Sequence, residues 1–184
     1  MTQITMRTFF RFTIPLAVTA YLLSVQAQTL PITSTTSTVP MVLPQTEFVY
    51  EAIVDLDPTL QLGVSPLGDR RMVPISGGTF EGINGLRGKV LAGGADRQLV
   101  RRDGSVNLDA IYELQTHDGV VISVRNKVLS RAATEKTPRY AFSHIELTVA
   151  DGAYGWLNSF VYVGTLNSLR PARNAVVIRV YKVK

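Results

Sequence analysis

The chain of 184 residues has the length of one domain, and its 46% hydrophobic and 18% charged residues are typical of a globular protein. It contains no cysteine, which excludes disulfides, thiolate metal sites, iron–sulfur clusters and cysteine nucleophiles. The formal net charge is only +5, and the basic residues form doublets rather than a stripe interleaved with aromatic residues, so we expect no nucleic-acid partner.

The N-terminal segment, residues 1–27, has the three parts of a secretory signal peptide. Arg7 and Arg11 give it a positive beginning, an apolar stretch runs from Phe12 to Val25, and Ala27 supplies the small side chain that a signal peptidase reads. A retained membrane anchor is the alternative, but a transmembrane helix needs roughly 20 apolar residues. We therefore expect cleavage, secretion and no membrane association of the mature protein.

Residues 28–46 form a predicted linker. They are rich in threonine, serine and proline, as in the run TSTTSTVP. A segment of this composition buries too little apolar surface to fold, and in a secreted protein it often carries O-linked glycans. We expect a flexible linker, with or without glycans, followed by one folded domain at residues 47–184.

The apolar residues of this domain recur with a period of two rather than 3.6, which predicts β-strands. The pattern covers residues 48–54, 106–114, 140–149, 154–166 and 175–183. Asp-Gly pairs, such as Asp103-Gly104, supply turns. We predict an all-β fold, a single antiparallel, meander-like β-barrel of roughly 8–10 strands, because closure removes exposed strand edges. A β-sandwich is the alternative, since periodicity does not separate the two.

The middle of the chain is rich in glycine. It reads ISGGTFEG at residues 75–82 and LRGKVLAGGAD at residues 86–96, and the motif YGWLN follows at residues 154–158. Taken in this order with Tyr112, the motifs resemble the DUF3237 family, also named UPF0311, over about residues 48–183. The resemblance implies a compact β-barrel of unsettled biochemical function, and fungal members of that family sometimes accompany biosynthetic genes for small molecules. Arg97 departs from the family pattern, in which an aromatic residue is usual at that position.

The glycines match no nucleotide-binding motif, because the sequence has neither the Lys-Ser/Thr of a P-loop nor a Gly-x-Gly-x-x-Gly run. No Gly-x-Ser-x-Gly elbow offers a hydrolase nucleophile. We expect these glycines to let strands bend and pack closely, with a backbone nest for an anion as the alternative. Histidine occurs only at positions 117 and 144, which is too sparse for a metal centre, so no metal and no cofactor are predicted.

One predicted strand, residues 140–149, combines an aliphatic face with a face that is polar and aromatic. His144 and Glu146 lie on the second face, about 7 Å apart. If that face lines the barrel cavity, desolvation raises the pKa of Glu146, and both side chains become candidates for catalysis. The alternative is that this face meets solvent.

Other candidates come from three more segments. Asp96, directly after the glycine-rich segment, is either a second catalytic carboxylate or the cap of a turn. Trp156 and Asn158 share a face of predicted strand 154–166, where Trp156 would stack on a ligand and Asn158 would orient it or form a structural amide bridge. Tyr112 and Arg87 complete the ligand-binding set. We predict that all of the candidates except Arg87 converge on one cavity.

Two functions are compatible with these residues. The first is a secreted barrel that binds a small apolar or aromatic metabolite. The alternative is an isomerase, cyclase or dehydratase of secondary metabolism that needs no cofactor. Asp96 and Glu146 would move protons, while His144, Asn158 or Tyr112 polarises a carbonyl. A cavity that holds a carboxylate of raised pKa would favour the enzyme, whereas an apolar cavity would favour binding alone.

Overall fold

The computed structural model describes residues 40–184. The predicted signal peptide and residues 28–39 of the predicted linker lie outside the described residues. The first strand begins at Thr46, one residue before the predicted domain boundary, and Gln45 already exchanges two backbone hydrogen bonds with Lys184. Within residues 40–184, none of the helical segments has the length and hydropathy that a transmembrane helix requires.

The described chain forms ten β-strands and two short 3-10 helices. In chain order the strands are β1 (Thr46–Leu56), β2 (Leu60–Ser65), β3 (Gly68–Gly82), β4 (Arg87–Val90), β5 (Ala95–Arg101), β6 (Val106–Thr116), β7 (Val121–Arg131), β8 (Tyr140–Val149), β9 (Tyr162–Ser168) and β10 (Ala175–Val183). The two 3-10 helices are Ile83–Gly85 and Gly155–Ser159. The alternation of apolar and polar residues explains why these segments form strands, because successive side chains of a strand point to opposite faces.

The strands close into an antiparallel barrel, which confirms the predicted fold class and shows that the sandwich alternative is wrong. The order around the barrel is β1-β10-β9-β8-β7-β6. The next place in the ring, between β6 and β3, is shared by two short strands, β4 and β5. β3 then pairs with β1 and closes the ring. β5 pairs with the first half of β3 and β4 with its end. β2 lies off the ring and pairs only with β3.

Closure depends on a glycine in β3. Gly78 has φ +138°, and a Cβ atom at this position would lie 2.0 Å from the carbonyl oxygen of Ile53 in β1. No L-residue with a side chain fits such a contact, so the two strands reach pairing distance only because glycine is present. This agrees with the expectation that the glycine-rich segment allows close strand packing.

The first strand departs from strict alternation. A β-bulge between Phe48 and Tyr50 places both Val49 and Tyr50 in the core, whereas Phe48 is 37% exposed. The period of two over residues 48–54 places Phe48 and Tyr50 on one face, and that prediction is wrong for Phe48. A bulge adds one residue to one strand of the pair and so shifts every earlier side chain to the other face.

The predicted strand 154–166 is also wrong in its first half. Residues Gly155–Ser159 form a 3-10 helix, and β9 begins only at Tyr162. The helix inserts Leu157, which is 1% exposed, into the core, and the Tyr162 hydroxyl donates a hydrogen bond to the Leu157 carbonyl oxygen at 2.9 Å. This segment therefore plugs one end of the barrel, which we call the closed end.

Candidate functional site

A small cavity of about 60 Å³ lies inside the barrel, away from the closed end. Its aliphatic wall comes from six strands and consists of Val54, Leu56, Ile75, Leu108, Ala110, Val128, Leu166, Val176 and Ile178. The polar side chains in the wall are Asp96, Gln98, Tyr112 and Asn126. A vestibule of about 230 Å³ at the open end adjoins this cavity and shares part of its wall, including Gln98 and Leu108. The site is thus an apolar chamber with a short polar row.

Asp96 brings a carboxyl group to the inner chamber, and it is only 8% exposed. Alternation along β5 turns Asp96 and Gln98 inward and Arg97 outward. One carboxylate oxygen, Oδ2, accepts a hydrogen bond from Gln98 Nε2 at 2.5 Å, and Oδ1 accepts one from the backbone N–H of Asp109 at 3.1 Å. The side chain is therefore a fixed acceptor in the cavity wall and not the cap of a turn.

Burial raises the pKa of Asp96 to about 6. The two hydrogen bonds and the positive charge of Arg71 favour the ionised form and limit that rise, while the charge of Asp109 adds to it. Near neutral pH the carboxyl group therefore lies within about one pH unit of half-protonation, a range in which a group can both donate and accept a proton.

Arg71 and Gln98 support Asp96 from the vestibule side. The two residues face each other in the pairing of β3 with β5, and Arg71 Nε donates a hydrogen bond to Gln98 Oε1 at 2.7 Å. This bond fixes which end of the Gln98 amide points at Asp96, because the oxygen is occupied by the arginine. A hydrogen-bonded line thus runs from a guanidinium in the vestibule to the buried carboxylate.

Asn126 stands opposite this line at the same level of the barrel. In the strand pairing Asp96 faces Ala110, and Ala110 faces Asn126, so two strand spacings, or roughly 10 Å, separate the two polar residues. The small side chain of Ala110 leaves the space between them open. Asn126 is 1% exposed, and its Oδ1 atom has no hydrogen-bond partner among the described residues.

Tyr112 also lines this chamber. It follows Ala110 by two residues on β6 and is 1% exposed, and burial raises its pKa well above the usual value for tyrosine. Its Oη atom also has no partner among the described residues. Leaving a buried polar group unpaired costs about 1–3 kcal/mol. A bound molecule whose polar group reached the unpaired atom of Asn126 or Tyr112, two residues that line the cavity, would therefore be stabilised.

His144 and Glu146 do not reach the cavity. Their side chains are 57% and 49% exposed on the outer wall of β8, where Glu146 Oε1 lies 3.6 Å from Lys127 Nζ and 3.9 Å from His144 Nδ1. The prediction that this face lines the cavity is wrong. The aliphatic face of the same strand, which includes Ile145, packs inside the barrel instead, because burying it removes far more apolar surface from water.

Trp156, Asn158 and Arg87 also lie outside the cavity, so the predicted convergence holds only for Asp96 and Tyr112. Trp156 is half-buried in the 3-10 helix of the closed end, and Arg87 is exposed on β4. The Asn158 side chain accepts a hydrogen bond from the Val149 N–H at 3.0 Å and donates one to the Val149 carbonyl at 2.8 Å. Asn158 is thus the structural amide of the two alternatives, and it completes the edge of β8 where β9 has not yet begun.

Sequence reasoning missed Asn126 and Arg71. Asn126 interrupts an otherwise apolar alternation along β7, in which Ile122, Val124 and Val128 point inward, and that interruption is a signal visible in the sequence. Arg71 offers no such signal, because its neighbour Gln98 lies 27 residues away in the chain. Within residues 40–184, no three histidine, aspartate or glutamate side chains come close enough together to hold a metal ion.

The sequence of this chain is similar to those of known proteins. The family model described as a protein of unknown function, DUF3237, matches residues 44–183. A UPF0311 protein of Rhodopseudomonas palustris is 30% identical over 153 residues, which cover 76% of this chain and 96% of that protein. These matches confirm the resemblance seen in the glycine-rich motifs.

Solved structures share the fold. A β-barrel-like protein of Acinetobacter baumannii superposes with a TM-score of 0.71 at 31% identity and covers 79% of this chain and 99% of its own. A protein of Penicillium herquei that is described as an enzyme gives a TM-score of 0.63 at 23% identity, with 79% of this chain and 98% of that one covered. At that identity the second likeness concerns the barrel alone.

Proposed function

This chain belongs to the DUF3237 family, also named UPF0311, and we propose that its barrel binds a small, largely apolar molecule that carries a hydroxyl or carbonyl group. The observation that supports this most strongly is the polar row in an otherwise aliphatic chamber. Asp96 offers an acceptor, or a donor when protonated, and the Asn126 and Tyr112 side chains each have a buried polar atom without a partner among the described residues. Pockets of this kind, apolar with a few placed polar groups, are typical of ligand sites.

The volume of the chamber limits what enters it. A water molecule takes a share of about 30 Å³ in the liquid, so about 60 Å³ holds only the edge of a ring or a short chain. The rest of the ligand would occupy the vestibule of about 230 Å³. The ligand we propose is therefore narrow at the end that reaches Asp96 and wider at the open end.

A second function, acid–base catalysis by Asp96, is favoured by the pKa of about 6 for a carboxyl group inside the chamber. In its protonated form Asp96 would donate to a carbonyl or leaving hydroxyl oxygen, and in its ionised form it would accept a proton from carbon or oxygen. Isomerisation, cyclisation and dehydration are reactions of this class. The Penicillium herquei barrel described as an enzyme makes the same architecture compatible with catalysis.

The test is to identify small molecules that co-purify with the full chain by mass spectrometry, and then to compare variants. Ala110→Leu, which fills the space between Asp96 and Asn126, should abolish co-purification. Asp96→Asn keeps the shape of the side chain and should retain bound ligand while losing any turnover. Glu146→Gln is the matched control, since it removes a carboxylate from the outer wall. Ligand retained in Ala110→Leu would contradict the proposed site.

Export is the remaining part of the proposal. It is supported by the signal-like segment 1–27, which lies outside the described residues. N-terminal sequencing of protein recovered from the medium should find a new terminus near Gln28. Protein that is confined to the cytosol and keeps Met1 would contradict export.

A further inference from the structure

Two guanidinium groups line the vestibule at the rim of the barrel's open end. Arg71 comes from β3, and Arg170 from the loop between β9 and β10. Within residues 40–184, neither takes part in an ion pair with a carboxylate at 4 Å or less. The loop that carries Arg170 also carries Arg173, whose charge is neutralised by both carboxylate oxygens of Asp55 at 2.7 Å. Arg71 and Arg170 therefore bring positive charge to the vestibule without a carboxylate in direct contact among the described residues.

Both guanidinium groups are held in place in the same way. Arg71 Nε donates to Gln98 Oε1, and Arg170 Nε donates to Asn174 Oδ1, each at 2.7 Å. Among the described residues these bonds use the Nε atoms and leave the terminal Nη groups of both arginines without a partner. A guanidinium anchored at Nε presents its Nη donors in a fixed plane, and that geometry suits the two oxygens of a carboxylate.

An anionic group would bind at the vestibule and not deeper. The inner chamber is largely aliphatic and holds the carboxyl group of Asp96, so a second negative charge there would lose its hydration and meet a like charge. At the vestibule, by contrast, two cations and the hydroxyl groups of Thr59 and Ser130 line the wall. The arrangement separates an apolar end of the ligand from a charged end.

We propose that the ligand of this cavity is a small organic acid whose carboxylate is held by Arg71 and Arg170 while its apolar part extends into the barrel toward Asp96. This inference rests on the proposed binding function and adds the substrate class and the direction of entry. It also predicts that removing either rim charge weakens acids without weakening neutral molecules of the same shape.

Matched pairs of acids and amides test the inference. Benzoate, 1-naphthoate and octanoate, each beside its primary amide, would be titrated into the ¹⁵N-labelled full chain and followed by NMR at the backbone amides of Gln98, Leu108 and Asn126. We expect at least one acid to bind about tenfold or more tightly than its amide.

The variants are Arg71→Gln and Arg170→Gln, with Arg97→Gln as the control. Arg97 lies next to Asp96 in the chain but points to the outer wall, so its replacement removes the same charge without touching the vestibule. Each rim variant should reduce the preference for the acid to about twofold or less and leave amide binding unchanged. The control should keep the full preference. Arg71→Gln could perturb folding because Arg71 bonds to Gln98. Arg170 is exposed, so Arg170→Gln tests the role of the rim charge without that effect.

The outcomes separate the two proposals. Equal binding of acids and amides would overturn the inference and leave the binding function standing. An equal loss of acid preference in Arg97→Gln would also overturn it, because the effect would then come from overall charge. If no acid and no amide shifts the cavity resonances at millimolar concentration, both the binding function and the inference fail.

Discussion

Asp96 and Glu146 lie on two strands of the same barrel, Asp96 on its inner wall and Glu146 on its outer wall. Asp96 is 8% exposed and bound by an amide and a backbone N–H, whereas the side chain of Glu146 is 49% exposed beside Lys127. Water solvates Glu146 directly, but the charge of Asp96 is stabilised only by the groups that the fold supplies. The side of the sheet on which a carboxylate lies therefore decides whether it is desolvated, and desolvation is what raises the pKa of Asp96.

A third carboxylate, that of Asp109, makes the same point more sharply, because it lies next to Asp96 on the neighbouring strand. Asp109 donates its backbone N–H to Asp96, but its own side chain points outward and accepts two hydrogen bonds from Arg125, at 2.9 and 2.8 Å. Hydrogen bonding to Arg125 lowers the pKa of Asp109, while burial raises that of Asp96. Opposite pKa shifts therefore occur across a single pair of strands.

The largest expected effect comes from truncating an inner side chain of β8, compared with truncating its outer neighbour. Ile145→Ala removes a side chain that is 2% exposed and should lower the free energy of unfolding by about 2–5 kcal/mol, because it leaves a cavity in the core. His144→Ala, one residue earlier on the outer wall, should change it by less than about 0.5 kcal/mol. Urea denaturation measures both. A similar loss of unfolding free energy in the two variants would show that the inner and outer walls of β8 do not differ in burial.

Asp96 should produce the next largest effect, and it depends on pH. Its folded-state pKa of about 6 lies above the ordinary 3.8, so the folded state holds the proton more tightly and stability increases as the pH falls from about 6 to 4. Relative to Asp96→Asn, the natural protein should gain roughly 2–3 kcal/mol over that range. Unfolding curves at pH 7, 5.5 and 4 check this. If the difference in unfolding free energy between the natural protein and Asp96→Asn did not change with pH, the raised pKa of Asp96 would be contradicted.

Asp109 should show a smaller effect of the opposite sign. Because the pKa of Asp109 is lowered in the folded state, its pairing with Arg125 stabilises the protein above the unfolded pKa and is lost as the pH falls through the folded one. Asp109→Asn should therefore lower the melting temperature at pH 7, and its melting temperature should converge with that of the natural protein as the pH falls through the folded-state pKa of Asp109. Solvent weakens this pair, since both side chains are about 40% exposed. If the difference in melting temperature between the two proteins grew as the pH fell, the lowered pKa of Asp109 would be contradicted.

Glu146→Gln should have the smallest effect of all. The carboxylate lies on the outer wall, with Lys127 Nζ at 3.6 Å as a half-exposed partner, and surface pairs of this kind contribute little to stability. The melting temperature and ligand content should match those of the natural protein, as measured by calorimetry and mass spectrometry. Loss of bound ligand in this variant would restore the outer face of β8 as a candidate site.

The sequence by itself determined the class of fold and much of its register. Alternation along residues 106–114, 140–149 and 175–183 specified strands, because side chains of a strand point to opposite faces with a period of two. The order of the glycine motifs specified the family. Asp96 and Tyr112 were found as site residues because the resemblance and the position after Gly94 drew attention to them.

Tertiary structure decided which face of each strand is inside and which residues meet. Periodicity separates two faces but does not say which one a closed barrel buries, so His144 and Glu146 were assigned to the wrong wall. The bulge near Tyr50 and the 3-10 helix around Leu157 depend on packing in the core, which the propensity of a local segment does not predict. Arg71 reaches Gln98 only because β3 pairs with β5, a contact between residues far apart in the chain that no local pattern encodes.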